Sequence, residues 1–404
     1  MINLETPKKF RGIVNQAHQV AAEMLRPNSR RYDLTEHAYP KELDMLAAMV
    51  DGIGAAGQGS GAGAAGVRRA ESDGDADRVR NGSNMSSVLS IMEMCWGDVG
   101  LLLSMPRQGL GNSAIASVAD EEQLERFAGV WAGMAITEPG CGSDSASIRT
   151  TARLDGDDYV INGEKIFVTA GGRADAIVVW ATLDRSAGRP AIKSFVVRKD
   201  TPGMTVERLD HKLGIRSSDT ATIRFEDCRV PKENLLGNPE VDTGKGFAGV
   251  MQTFDNTRPL VAAMAVGCAR AALELTRSLL ADAGVEVDYD RPVHVQSSAA
   301  ATFLQMESDW EAAYLLTLQA AWMADNGRPN SLQASMAKAK AGRVGNDITL
   351  RCVELGGSLG YSEHELLEKW ARDSKILDIF EGTQQIQQLI VARRLLNKTS
   401  AELR

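Results

Sequence analysis

The chain is poor in aromatic residues, which make up 5% of its 404 positions, so it offers little of the stacking surface that single-stranded nucleic acids need. It also lacks an excess of positive charge. Lysine and arginine number 45 against 53 aspartates and glutamates, a formal net charge of −8. That balance argues against a phosphate-backbone partner but leaves room for a local basic pocket around a small phosphorylated ligand. The five cysteines, Cys95, Cys141, Cys228, Cys268 and Cys352, form no CxxC or HxxxC pairing, and the five histidines are scattered. This pattern points to neither a disulfide framework nor a metal site, and it suits a reducing cytoplasm. No apolar run reaches membrane-spanning length, and the opening MINLETPKKF lacks the charged-then-apolar layout of a signal peptide. The expectation is a soluble cytoplasmic protein with no nucleic acid, membrane or metal partner.

Apolar residues make up 44% and charged residues 24%, ordinary for a globular chain long enough for two or three folding units. Three zones differ in texture. Residues 1–131 read as a helical domain, with Leu43, Leu46, Ala47 and Val50, then Val88, Ile91, Met92 and Cys95, at helical spacing. Between them, residues 51–84 read as a flexible loop. Twelve of its first sixteen residues are Gly or Ala and the rest of it is almost wholly polar, too little apolar surface to offset ordering entropy. The loop holds two GxGxxG matches, Gly52–Gly57 and Gly61–Gly66. A dinucleotide fingerprint needs a strand before the glycines and a helix after them, and neither is present, so a Rossmann site is rejected.

Residues 132–243 change period. Asp155-Gly156 and Asn162-Gly163 are turn signals flanking TTARL, YVI and KIFVT, and AIVVWATL, AIKSFVVR, MTVERL and ATIRFEDCRV continue in the same style. Short strands with frequent turns predict a compact antiparallel β-domain, barrel or sandwich. Residues 244–404 return to long helical patterns that predict a four-helix-bundle-like domain, its last helix near Gln384–Leu396 with Ile386, Leu389, Ile390 and Leu396 close to one face. The expected fold class is therefore α+β: helices, a β-domain, then a helical bundle.

Two segments, MAITEPGCGSDS at 134–145 and IFEGTQQIQQLIVAR at 379–393, resemble the acyl-CoA dehydrogenase family. INGEKIFVTAGG at 161–172, SDTATIRFEDCRVPKENLLG at 218–237, FDNTRPLVAAMAVG at 254–267 and RDSKILDIFEGT at 372–383 follow in the family's order. The likeness is good over about 130–397 and loose before it. It implies the same three-part layout and an acyl-CoA dehydrogenase: FAD-dependent α,β-dehydrogenation of an acyl-CoA to the trans-2-enoyl-CoA.

That chemistry needs a carboxylate base, hydrogen bonds to the thioester oxygen, and a flavin beside the Cα–Cβ bond. Glu381 matches the family's base in its aromatic-Glu-Gly-Thr motif, with Phe380 before it and Gly382 turning the backbone closely past the ligand. The resemblance also gives the Glu381 N–H a role in holding the thioester carbonyl. An apolar pocket would raise the carboxyl's pKa. Taken alone, Glu381 also reads as a cap on the C-terminal helix. Some relatives place the base directly before the Arg of DNTRP, where this chain has Thr257, so no carboxylate competes.

By resemblance, Ile136, Thr137, Gly142 and Ser143 hold the flavin through amides and hydroxyls, suited to an anionic phosphate. Phe167 stands where Trp is common, Thr169 matches a hydrogen bond near the flavin's reactive nitrogen, and Thr383 and Gln385 match contacts to its nucleotide. Phe254, Asp255, Thr257 and Arg258 match the helix lining the acyl-CoA channel, with Gly382 and Ser143 also facing substrate; a structural ion-pair partner is the second, weaker reading of Arg258. The implied partners are the acyl-CoA and an electron-transferring flavoprotein.

The match breaks in two places. Glu286, Tyr289 and Asp290 stand where the family has Arg-x-x-Phe-Gly, whose Arg reaches a neighbouring subunit's flavin pyrophosphate; negative charge there repels a phosphate, and Arg291 is the nearest substitute. The Gly-Gly motif is altered, reading VELGGSLGY at 353–361. Both breaks concern subunit interfaces, so a homotetramer and a hetero-oligomer with a homologous subunit stay open. So do an oxygen-using enzyme of the same fold, an acyl-CoA oxidase or monooxygenase, and a weakly flavin-binding partner subunit. Acyl length and branching are not legible.

Overall fold

A computed structural model describes residues 6–48, 82–107, 110–241, 248–399 and 402, with the side chains of 248–256 outside that set. Most of the Gly/Ala-rich stretch and Val50 therefore lie outside the described residues. Its end does not stay a loop: Ser83 and Asn84 open a helix, because Asp325 accepts hydrogen bonds from the backbone N–H groups of Gly82, Asn84 and Met85 and so caps the helix from a distant element.

The chain begins with helices α1 (Arg11–Val20) and α2 (Arg26–Leu34), joined without a break through a π turn at Ala21–Leu25. Helix α3 (Ser83–Gly97) is apolar on several faces and buries Val88, Met92 and Cys95. Short helices α4 (Val99–Leu103), α5 (Leu110–Val118) and α6 (Glu121–Arg126) lead into the sheet; Asp98 caps α4, and Asp120 with Gln123 forms a capping box on α6.

Seven strands follow: β1 (Ala132–Ala135), β2 (Thr151–Asp155), β3 (Asp158–Thr169), β4 (Ala176–Thr182), β5 (Ile192–Arg198), β6 (Met204–Leu209) and β7 (Thr220–Pro231). They form one sheet in the order β1-β4-β2-β3-β7-β6, with β5 on β4. The sheet is mixed, which corrects the expected antiparallel domain. β1 runs parallel to β4, and a parallel bridge joins Thr151 to Thr182. The intervening β2–β3 excursion is long enough to bring the chain back in the same direction, as parallel pairing requires. A second correction concerns Asn162-Gly163. Asp155-Gly156 does begin the two-residue β2–β3 turn, but Gly163, at φ 151°, sits at a register shift inside the twelve-residue β3. Glycine supplies the bulge conformation as readily as the turn.

Five helices close the fold: α7 (Ala248–Asp282), α8 (Ser298–Asp325), α9 (Ser331–Tyr361), α10 (Leu367–Leu377) and α11 (Gln384–Leu396). Pro259 lies inside α7 and removes one ladder hydrogen bond just after Thr257–Arg258. Gly357 breaks α9 with a left-handed residue in the altered Gly-Gly stretch. A single apolar core joins α3 to α7, α8 and α9, with Met92, Cys95, Ala265, Cys268, Phe303 and Trp370 among its members. The segment Thr257–Asp282 is long and apolar enough to cross a membrane, yet 72% of its apolar window is buried inside this core.

Candidate active site

Helix α10 leads directly to the Glu381 turn, and three buried charges anchor it. Lys369 Nζ lies 2.7 Å from Asp98 Oδ2 and 2.5 Å from Asp373 Oδ2, and all three side chains are 1% exposed or less. Asp98 also accepts from Ser29 Oγ, and Asp373 Oδ1 accepts from the Ile215 backbone N–H. One cluster thus joins the N-terminal helices, α10 and the β6–β7 loop (210–219). Gly214 of that loop lies against the Arg372 carbonyl so closely that a Cβ would sit 2.4 Å from it. Arg372 in turn grips Asp33, Glu368 and the Leu213 carbonyl. Glu381 is thereby registered against the sheet.

After α10 the chain turns sharply. Glu381 and Gly382 both adopt left-handed backbone, at φ 54° and 92°, and Thr383 caps α11 by accepting from Ile386 N. A non-glycine residue held there stores on the order of 1–3 kcal/mol, which persists only when surroundings dictate it. Gln387 supplies part of that constraint: its Nε2 donates to both the Glu381 and Gly382 carbonyls at 3.1 Å. Helix α9 approaches just beneath. Gly342 permits it, since a Cβ there would lie 2.8 Å from the Leu377 carbonyl.

Glu381 as a residue is partly accessible, but its Oε2 atom is buried with no hydrogen-bond partner. Burial pushes its carboxyl above the usual carboxylate range. A hydrogen bond from Thr257 and the charges of Lys338 and Arg258 offset this only in part. Thr257 is 4% and Arg258 2% exposed. The structure therefore brings together Glu381, Gly382, Thr257 and Arg258. Thr257 occupies the alternative base position and directs its hydroxyl at the same carboxylate. The side chains of Phe254 and Asp255 lie outside the described residues.

The remaining candidates lie on the sheet and on α11. Ile136 and Thr137 are half-buried, Gly142 and Ser143 exposed, and Thr169 half-buried at the end of β3. Phe167 is 62% exposed and left-handed at φ 58°, a large aromatic ring presented to solvent. Gln385 points outward, whereas its neighbour Gln384 and Gln387 are buried with Oε1 atoms unpartnered. No hydrogen bond joins Ser143 to Glu381 among the described residues.

Two residues essential to this loop escape sequence reasoning. Glu138 and Lys165 form a buried ion pair at 2.7 Å, and Lys165 Nζ also reaches the Ile136 carbonyl at 3.0 Å. Glu138 further accepts from Arg149 N, Thr150 N and Thr150 Oγ1, which pins the 136–150 segment to β3. Burial pushes the Glu138 carboxyl up, and Lys165 with these donors more than reverses it, leaving it below the usual range. The Glu-Pro-Gly and Gly-Glu-Lys runs were the only available signal. A flat apolar ligand fits what is present: an exposed Phe167 ring, half-buried Thr137 and Thr169 hydroxyls, and a glycine-containing loop held from below.

His37 and His211, far apart in sequence, meet beside Glu36, with ligand-capable atoms within 4.8 Å of one another. Glu36 accepts from the Lys212 backbone N–H and pairs with His211, so the group works as a docking contact between α2's end and the β6–β7 loop.

Comparison with known proteins shows the family. Residues 133–228 match the acyl-CoA dehydrogenase middle domain and 244–396 the acyl-CoA dehydrogenase C-terminal domain. The chain is 34% identical over 322 residues to the short-chain specific acyl-CoA dehydrogenase of Clostridium acetobutylicum, covering 78% of this chain and 83% of that one. It is 39% identical over 262 residues to the mitochondrial short-chain specific enzyme of Mus musculus, 65% of this chain and only 62% of the mouse protein. The butyryl-CoA dehydrogenase structure from Megasphaera elsdenii superposes with a TM-score of 0.78 at 29% identity, covering 98% of this chain and all of that one. The chain belongs to the acyl-CoA dehydrogenase family.

Proposed function

We propose that this protein is an FAD-dependent acyl-CoA dehydrogenase in which Glu381 removes the α-proton of the thioester. The observation that carries this is the Glu381 carboxyl itself: left-handed backbone, a buried Oε2 atom without a partner, and a pKa raised by burial. A base poised above the ordinary carboxylate range is better matched to a weakly acidic carbon.

Ile136, Thr137, Gly142, Ser143, Phe167, Thr169, Thr383 and Gln385 are the residues that would hold FAD. When bound, the flavin supplies the acceptor for the hydride that leaves the β-carbon. The chain's own groups do the rest. Glu381 takes the α-proton, and the electron pair it leaves behind becomes the Cα=Cβ bond. Thr257 holds the carboxylate in place, Arg258 adds fixed positive charge, and the Glu381 N–H is the donor proposed for the thioester oxygen. Phe254, Asp255 and Ser143 complete the proposed acyl-CoA contacts. An electron-transferring flavoprotein is the proposed reoxidant, and the free cysteines fit a reducing compartment such as the cytoplasm. Anaerobic addition of acyl-CoAs of increasing chain length to the flavin-loaded protein tests this directly. Bleaching of the flavin band by at least one is expected, and no bleaching by any contradicts it. Fast reoxidation of the reduced flavin by oxygen would instead place the protein with the oxidases.

One observation favours a hetero-oligomer with a homologous subunit. In the loop after α7, Arg291 turns back onto Asp288 at 3.2 Å while Glu286 and Asp290 are exposed. The substitute cation is thus held by its own loop. A homotetramer purified with one flavin per subunit would rule this out.

A further inference from the structure

The Glu381–Gly382 turn rests on a buried cation. Lys338 lies on α9 one helical turn before Gly342, the residue that lets α9 reach the end of α10. Its side chain is 1% exposed, and its Nζ donates to the Gly382 carbonyl at 2.6 Å, its one hydrogen bond among the described residues. That carbonyl also receives Gln387 Nε2, so the left-handed turn is held from two elements, α9 and α11. The charged groups facing the ammonium are Glu381 and Asp378 from the turn and Arg258 from α7. An isolated buried ammonium is costly, and one that fixes a neighbouring carboxylate's backbone and favours its charged form has a reason to be there.

We propose that Lys338 is a positioning residue for the base: it locks the Gly382 carbonyl, and with it the aim of the Glu381 carboxylate and N–H, and it supplies fixed positive charge beside that carboxylate. This rests on Glu381 being the base. Burial lowers the ammonium's pKa to about 8, with Glu381 and Asp378 opposing and Arg258 reinforcing. A charge on the lysine favours the ionised form of Glu381, against the burial that raises its carboxyl.

The test uses the flavin-loaded protein and an acyl-CoA that bleaches it. Lys338→Met is expected to lower kcat about 10- to 100-fold, the scale of a misplaced catalytic group. KM is expected to change less than kcat, because the proposed acyl-CoA contacts outside the Glu381 turn are untouched. The acid limb of the kcat–pH profile is expected to move upward, since Glu381 loses a charge that favours its ionised form. Lys338→Arg, which keeps the charge, is expected to return the limb towards the wild-type position. A merely structural lysine would change stability and flavin content but leave that limb in place. Lys338→Met with wild-type kcat and acid limb overturns the proposal. Should Lys338→Met not fold, Lys338→Gln, which keeps a donor without the charge, decides by the same limb. Glu381→Gln separates the two ideas. If it is inactive while Lys338→Met is normal, only the lysine's role falls; if it is active, both fall.

Discussion

Removing the Lys165 ammonium is expected to loosen the 136–150 segment and expel the flavin. Lys165 is fully buried and Glu138 is 6% exposed, so water cannot replace the lost partner. In Lys165→Met the Glu138 carboxylate keeps its neutral donors, Arg149 N, Thr150 N, Thr150 Oγ1 and the weak Cys141 Sγ, but no Lys165 countercharge. Breaking a buried pair from one side typically costs about 3–5 kcal/mol. The companion Glu138→Gln strands the ammonium and should cost a similar amount. The double variant removes both charges and should be less damaged than the sum, with a coupling of about 1–3 kcal/mol. Urea unfolding of the four proteins gives the cycle, and the flavin-to-protein absorbance ratio reports the loop. Single variants that each cost under about 1 kcal/mol, add without coupling and keep full flavin would refute the reasoning.

Other perturbations give equally definite outcomes. Lys369→Met leaves Asp98 and Asp373 facing each other in the core and should cost about 3–5 kcal/mol, read as a fall in the unfolding midpoint; an unchanged midpoint contradicts the anchoring role. Gly214→Ala forces the β6–β7 loop off α10 and should cost about 1–3 kcal/mol while lowering kcat; wild-type stability would show that the close approach is slack. Because the Glu381 pKa is raised, kcat should rise with pH through a value above the ordinary carboxylate range. Thr257→Val removes a hydrogen bond that lowers that pKa and should shift the limb further up; a shift down contradicts the assignment.

What the sequence makes legible divides by physical cause. The long stretches around Val266, Ala313 and Ile348 announce their helices by length and by freedom from strand and turn signals. Helix α10 carries its own apolar spacing at Leu367, Trp370, Ala371 and Leu377, but nothing in it shows that Lys369 and Asp373 lie in the core beside them. Glu138, Lys165 and Lys338 are hidden in the same way: a buried charge has no local signature, only a distant partner. Turn residues report sequential hairpins such as β2–β3, but the parallel pairing of Ala132 with Ala176 depends on the whole intervening stretch 133–175 and has no mark of its own. Glu381 is legible through its motif. Its left-handed backbone, its buried Oε2 atom and its hydrogen bond from Thr257 are visible only in three dimensions.

Glu381→Gln tests the central claim most directly. Loaded with flavin, mixed anaerobically with an acyl-CoA in deuterated water, the wild-type protein should bleach and should exchange the α-hydrogen of the thioester. The variant should bind the same ligand, keep its flavin band and show no exchange. Bleaching of Glu381→Gln at the wild-type rate would contradict the account.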